Sequence, residues 1–237
     1  VKDYISATAT DTTYFKVVDN IDDFNTRAAI VRNGQTSIDS ILNWDGSGLR
    51  YRGPTIDATL SGSTHSGIFA ALTANGNVIK NWYIRSISFT NTLETGSEGG
   101  LVGYIGGETT ISKIVAHQVT IMESAGETGL GLAAVAGKGG VVGAIDGAAV
   151  NFSYVTITGG SVAAPVSGQG VGGLLGMGGY NLWGTEVITI SNSTSTMTLV
   201  GKSMVGGLVG AIFSEGHITD SSVSGSITAD DSAGGFI

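Results

Sequence analysis

The 237-residue chain contains no cysteine and only two prolines. The lack of cysteine excludes a disulfide framework and any thiolate metal site. The shortage of proline, in a chain whose glycines have no every-third-residue spacing, excludes a collagen-like structure. Basic residues are few as well, since Lys and Arg total 11 against 19 Asp and Glu. They are scattered, so the chain offers no basic stripe to nucleic acid or to an anionic membrane.

Long apolar runs are also missing. No stretch approaches the roughly 20 residues of a membrane-spanning helix, and the first residues lack the basic-then-apolar plan of a signal peptide. We therefore expect no membrane span in this chain and any secretion signal to lie outside it. Only 13% of the residues are charged while 41% are hydrophobic, which indicates a folded protein with a nearly neutral surface.

Glycine, by contrast, is abundant, with 39 residues, and much of it lies in one repeated phrase. The copies of this Gly-Gly-apolar-apolar-Gly phrase are HSGIFAAL (65–72), EGGLVGYI (98–105), KGGVVGAI (138–145), VGGLLGMG (171–178), VGGLVGAI (205–212) and a shortened AGGFI (233–237). Measured at the glycine before the apolar pair, they begin at Gly67, Gly100, Gly140, Gly173, Gly207 and Gly235, with intervals of 33, 40, 33, 34 and 28 residues. Spacing this regular indicates a structural repeat.

Each phrase has the features of a strand and not of a helix. A glycine inside a helix costs about 1 kcal/mol relative to alanine. Each phrase is short, and a Gly-containing turn and a second segment with period-two alternation follow it. Units of this kind bury a continuous core only when they stack. The sequence therefore predicts an all-β protein, a right-handed parallel β-helix or β-solenoid built from repeats of about 33 residues.

The repeated glycines are predicted to be structural. In a strand, Leu101 and Gly103 point to one face, so stacking the copies gives an apolar column beside a column of small residues. A column that stays small indicates close approach of an opposing backbone, and the leading glycine pairs would suit turns that require positive φ. The motif glycines are Gly100, Gly103, Gly140, Gly143, Gly173, Gly176, Gly207 and Gly210.

The opposite face of the same strands is apolar too. Such a face should be covered, either by the inserts between repeats or by another molecule, and it is a candidate assembly face. Its residues are Phe69, Val102, Val142, Leu175, Val209 and Phe236.

Two regions are predicted along the chain. Residues 1–62 do not repeat and should form capping or lead-in strands, because the first open edge of a solenoid needs protection. Residues 63–237 should form the repeat solenoid, whose last repeat is incomplete at Gly235. We expect the edge of that last repeat to be continued by the rest of a longer protein or by another chain.

The phrase GGLVG at 99–103 and 206–210, with its variants GGVVG and GGLLG, also carries a family resemblance. It resembles the core motif of the GLUG-repeat family of bacterial surface proteins. VVDNIDDF (17–24) and NWDGSGLRYRGPTI (43–56) occupy the places of the strand and turn that commonly precede these repeats. The resemblance implies a β-helical stalk or binding module, as in large adhesins and non-catalytic parts of immunoglobulin A peptidases. It implies a bacterial or archaeal cell surface and supplies no catalytic residues.

Residues able to bind metal form no recognisable motif. The three histidines, at 65, 117 and 217, lack the H-E-x-x-H spacing of a zinc peptidase, and although His117 and His217 could approach on stacked coils, inert surface histidines are the expected outcome. Carboxylates on turns suit calcium, yet no D-x-D-x-D-G or G-G-x-G-x-D pattern is present. We predict no catalytic, cofactor-binding or metal-binding residue, and no cofactor.

Two groups of residues could contact a carbohydrate. Four acidic residues fall in successive inserts and could line one side of the stack: Glu94, Glu98, Glu123 and Glu127. Four aromatic residues could stack on sugar rings or fill gaps in the core: Trp82, Tyr83, Tyr180 and Trp183. Carboxylates and aromatics converging on one groove would favour a carbohydrate-active protein.

These observations favour a non-enzymatic, extracellular structural or adhesive module, secreted or at the cell surface, that presents loops or self-assembles. A carbohydrate-binding or carbohydrate-cleaving β-helix protein is the alternative. The expected partners are a second copy of the chain, or a glycan or protein of a host or surface, and not nucleic acid.

Overall fold

The computed structural model describes residues 13–16, 42–45, 50–57, 65–92, 96–123, 137–166, 170–179 and 186–237. In these ranges every regular element is a β-strand. Three strands precede the repeats: β1 (Thr13–Lys16), β2 (Leu42–Asp45) and β3 (Arg50–Asp57).

The remaining strands form successive coils, each containing one copy of the glycine phrase. Coil 1 comprises β4 (His65–Ser66), β5 (Phe69–Leu72) and β6 (Asn77–Thr92); coil 2, β7 (Ser97–Gly99), β8 (Val102–Ile105) and β9 (Thr109–Glu123); coil 3, β10 (Gly137–Gly139), β11 (Val142–Ile145) and β12 (Val150–Ala164). Coil 4 comprises β13 (Gly170–Gly172), β14 (Leu175–Gly178), β15 (Val187–Ser191), β16 (Thr194–Ser195) and β17 (Thr198–Gly201). Coil 5 comprises β18 (Val205–Gly206), β19 (Val209–Ile212), β20 (Glu215–Thr219), β21 (Ser222–Val223) and β22 (Ser226–Ala229), and β23 (Ala233–Gly234) follows it.

The coils stack as three parallel sheets, which we number in the order in which each coil crosses them. The first sheet has the strand order β23-β18-β13-β10-β7-β4, and the second has β19-β14-β11-β8-β5. The third sheet contains the long strands and their divided equivalents, in the main order β1-β2-β6-β9-β12-β15-β20. Every pairing between described strands is parallel and joins equivalent positions of neighbouring coils, as in Phe69 with Val102 and Val102 with Val142. The predicted all-β parallel β-helix is confirmed.

Columns of inward-facing side chains form the core. On the third sheet, one column contains Ile79, Ile111, Phe152 and Ile190, and another contains Phe89, Ile121, Val162 and Leu199; all eight are buried. The alternation of buried and exposed positions along each strand places these residues inside. Stacking therefore joins the apolar faces of all the coils into one continuous core.

The second sheet corrects one prediction. Five of the six residues assigned to an assembly face are completely buried in the core: Phe69, Val102, Val142, Leu175 and Val209. The reason is that this sheet lies between the other two. The Phe69 ring meets Trp82 of the third sheet edge-on at 5.7 Å, while Gly103 faces the backbone of Ser66 on the first sheet. Only Phe236, 44% exposed, remains available to another molecule.

The glycine pairs have a steric explanation. None of them has the positive φ that the sequence analysis assigned to them. The pairs from Gly99–Gly100 to Gly206–Gly207 instead lie where successive coils bring two backbones together. A Cβ on Gly140 would lie 2.2 Å from the carbonyl oxygen of Gly173, and one on Gly173 would lie 2.3 Å from that of Gly207. A second column of glycines faces the first sheet. A Cβ on one of them, Gly143, would lie 2.5 Å from the backbone nitrogen of Glu98.

A ladder of left-handed residues bends the third sheet. Equivalent positions of the five coils all have φ between 48° and 59°: Asn81, Lys113, Tyr154, Asn192 and Asp220. Asn and Asp adopt this conformation more readily than other non-glycine residues. The bend also shifts the inward and outward alternation by one residue, which places Trp82 inside and Tyr83 outside.

The ladder leads to a prediction for Tyr154, whose side chain is 59% exposed. We expect Tyr154→Asn to raise the free energy of unfolding by about 1 kcal/mol, because asparagine tolerates the left-handed region better. Urea denaturation measures the effect. Met122 is an exposed residue on the same sheet with no positive φ, so Met122→Asn is the control and should bring no gain. Equal changes in both variants would contradict the explanation.

The remaining predictions about domains are not decided by the described residues. The three strands β1, β2 and β3 extend the third sheet through pairings β1 to β2, β2 to β6 and β3 to β6. The rest of residues 1–62 lies outside the described ranges, so their capping role stays a prediction. On coil 5, the last coil, Ile218, Val223 and Ile227 are only partly buried. Continuation of the open edge of this coil by a second copy likewise stays a prediction.

Candidate binding groove

A groove crosses four coils where the second sheet turns into the third. It encloses about 450 Å³. Its lining consists of Gly76, Asn77, Val78, Glu108, Thr109, Thr110, Ala149, Val150, Asn151, Val187 and Thr189. Since neighbouring strands lie about 4.8 Å apart, four coils give the groove a length of roughly 14 Å.

The outward side chains of the groove form a column set by strand register. Val78 pairs with Thr110, Thr110 with Asn151, and Asn151 with Thr189. Two hydroxyls and one amide therefore follow each other at the spacing of the coils. Because these residues lie on paired strands, their spacing is fixed by backbone hydrogen bonds.

The turns beside this column are held together by further hydrogen bonds. The backbone nitrogens of Gly76 and Asn77 both donate to the carbonyl oxygen of Glu108, at 2.8 and 3.0 Å. The Glu108 nitrogen donates to Oδ1 of Asn75 at 2.9 Å, and the Asn77 side-chain amide donates to Thr109 Oγ1 at 3.4 Å. These hydrogen bonds join the turns of coils 1 and 2, and the exposed carboxylate of Glu108 lies on this wall of the groove.

Of the four acidic residues predicted to line one side, the two that the structure describes, Glu98 and Glu123, lie outside this groove. Glu98 is 1% exposed and forms an ion pair with Lys138, which is 0% exposed. Burial raises the pKa of Glu98 to about 7, against the lowering effect of Lys138, and the charge of Glu123 raises this pKa further. Glu98 is therefore within reach of the charge of Glu123, but it is enclosed and does not line the groove. Glu94 and Glu127 lie outside the described residues.

Lys138 was not singled out by the sequence analysis. The sequence does contain a signal for its contact with Glu98, because Glu98 and Lys138 each precede a glycine pair in successive copies of the phrase. The register pairs these two positions on β7 and β10. Equivalent motif positions of neighbouring coils become contacts in a parallel stack.

Of the four predicted sugar-stacking aromatics, the two that the structure describes, Trp82 and Tyr83, do not line the groove. Trp82 is only 1% exposed and packs in the core against Phe69, so its prediction as a ligand-binding residue is wrong. Tyr83 lies on the outer surface, where its ring centroid is 5.2 Å from that of His117. Tyr180 and Trp183 lie outside the described residues.

The histidines are also separated. His117 belongs to the column that includes Thr158, whereas His217 continues the groove column after Thr189. Within the described ranges, no three His, Asp or Glu side chains gather as metal ligands would. The same ranges contain no helix able to cross a membrane.

Comparison with known families identifies the repeat. Residues 201–228 match the GLUG motif. This segment runs from the end of β17 to β22 and contains GGLVG at 206–210, so one GLUG motif corresponds to one coil of the β-helix. No curated protein and no solved structure matches the chain. The predicted GLUG-like repeat is confirmed in this segment, and its association with adhesins and peptidases stays a prediction.

Proposed function

We propose that this protein is a non-enzymatic structural and adhesive module of a bacterial or archaeal cell surface, and that its groove binds an extended, neutral glycan. The GLUG motif and the parallel β-helix fit a structural module. The groove across four in-register coils is the observation that carries the binding role.

The chemistry of the groove favours a neutral polar ligand. Thr110, Asn151 and Thr189 offer donors and acceptors that match sugar hydroxyls. Glu108 is the one carboxylate among the described lining residues, and the whole chain has a net charge of −8. An acidic polymer would therefore be repelled.

The proposal is tested by calorimetric titration with cellotriose, maltotriose and N,N′,N″-triacetylchitotriose, with trigalacturonate as the acidic comparison. We expect binding of at least one neutral trisaccharide and none of the acidic one. Asn151→Ala and Thr189→Ala should each weaken binding about fivefold, because one hydrogen bond contributes about 1 kcal/mol.

Thr228→Ala is the matched control, since Thr228 is exposed on the same sheet outside the groove. It should leave the affinity unchanged. If no neutral trisaccharide binds, or if all three variants bind equally well, the groove is not the binding site.

A further inference from the structure

Glu98 and Lys138 are enclosed side chains at equivalent positions of adjacent coils. They face each other in register on β7 and β10, and both are buried. The Lys138 Nζ donates to Oε2 of Glu98 and, at 2.8 Å, to the carbonyl oxygen of Gly96. The amine nitrogen is thus held against the Glu98 carboxyl group.

The surroundings of this pair are unfavourable for ions. On the first sheet, buried Ser66 lies beside Glu98 and buried Val171 lies beside Lys138. Desolvation of two charges costs several kcal/mol per ion. Transfer of the proton from Lys138 to Glu98 within the pair gives a neutral amine and a neutral acid, which are the forms that react.

A second carboxylate acts on the pair through its charge. Glu123, at the end of β9, is near enough for its charge to raise the pKa of Glu98. One of its oxygens, Oε2, accepts a hydrogen bond from the Val166 nitrogen at 2.9 Å, which holds the side chain in place. General acid–base catalysis by a carboxylate held in this way can move a proton between an amine and an acid.

We propose that Lys138 and Glu98 join in an intramolecular amide bond that links coil 2 to coil 3. The Nζ lone pair attacks Cδ of the protonated Glu98 carboxyl group, and the C–N bond forms. One proton leaves the nitrogen and reaches the departing hydroxyl, with Glu123 as its proposed carrier, and the bond from that hydroxyl to Cδ breaks. The products are one secondary amide and one water, and no oxidant or other reactant is needed.

The proposed amide bond would lie across the longest connection among the described coils. On the first and second sheets, paired residues of coils 2 and 3 are 40 positions apart, as with Glu98 and Lys138, compared with 33 or 34 at the neighbouring interfaces. Closing a longer loop costs more conformational entropy. A covalent bond here removes that cost from refolding and fixes the register across the longest connection among the described coils.

Intact-protein mass spectrometry of the full chain tests the proposal. We expect the mass to be lower than that of the sequence by about 18 Da, the mass of one water. Protease digestion should release a branched peptide that joins the segments containing Glu98 and Lys138. An unchanged mass after prolonged incubation of the folded chain would overturn the proposal.

Two variants separate this reaction from other dehydrations. Lys138→Arg keeps the positive charge and should retain the full sequence mass. Loss of the same mass in this variant would assign it to another site, such as cyclisation at Asp146–Gly147, and would overturn the proposal. Glu123→Gln should slow formation of the amide at least tenfold, measured by the unlinked fraction over time, because general acid–base catalysis contributes about 10²–10⁴-fold. An unchanged rate would remove Glu123 from the mechanism.

Discussion

Gly140→Ala is expected to lower the free energy of unfolding by about 3 kcal/mol, the upper end for overpacking an interior. The added methyl group would lie 2.2 Å from the carbonyl oxygen of Gly173 and 2.6 Å from the Met197 sulfur. The first neighbour is backbone in the next coil, and it is held by the hydrogen bonds of the stack. Relief of the clash therefore requires two coils to separate locally. Chemical denaturation followed by circular dichroism measures the loss.

Gly235→Ala is the matched control. Gly235 occupies the same position of the glycine phrase, yet a Cβ there would meet no atom within 4 Å. Its φ also lies outside the left-handed region, so alanine introduces no strain. We expect this variant to unfold at the midpoint of the unmodified chain. Equal midpoints for Gly140→Ala and Gly235→Ala would show that coil contact does not explain the repeated glycines.

Lys138→Met is expected to make stability depend steeply on pH. Without Lys138 the amide cannot form, and Glu98 remains as a buried carboxyl group with no basic partner. Its pKa is raised by burial to about 7 even with Lys138 present, and removing that lysine raises it further. In the unfolded chain the same group has a pKa near 4.5.

The direction of the effect follows from proton uptake. Between pH 4.5 and 7 the folded variant retains the Glu98 proton while the unfolded chain releases it, so rising pH favours unfolding. Protonated Glu98 makes its full contribution to the free energy of unfolding below pH 4.5. That contribution is lost as the pH rises through 7 and above. The slope is about 1.4 kcal/mol per pH unit, so raising the pH from 5 to 7 should cost roughly 3 kcal/mol.

The double variant Lys138→Met, Glu98→Gln is the control for this prediction. It keeps every other carboxyl group and removes only the titrating one. Urea unfolding of both variants at pH 5, 6 and 7 isolates the contribution of Glu98. Parallel pH profiles for the two variants would contradict a buried, titrating Glu98.

Much of the fold could be predicted because its determinants are local. The glycine phrase, its spacing and the alternation in segments such as 115–121 indicate strands, and the similarity of the copies indicates stacking. For Trp82, however, the alternation pattern predicts the wrong face of the strand. Strict alternation from buried Ile79 would place Trp82 on the surface, but the left-handed Asn81 shifts the alternation by one residue and turns Trp82 into the core. Asparagine is common in the left-handed region, but the sequence does not distinguish Asn81 in this respect from the other asparagines near it.

The candidate site could be predicted even less, because each of its parts comes from a different coil. Thr110, Asn151 and Thr189 have no distinctive sequence around them, and they form one groove only through register. The same holds for Glu98 and Lys138, which are 40 residues apart in the chain.

By itself the sequence determined the strand content, the repeat and its GLUG motif, since these depend on residue type and on spacing along the chain. The tertiary structure alone decided which faces are buried, why the glycines are required and which polar groups meet. Those properties depend on what lies one coil away, about 4.8 Å across the stack. In the sequence those neighbours are 28 to 41 residues away.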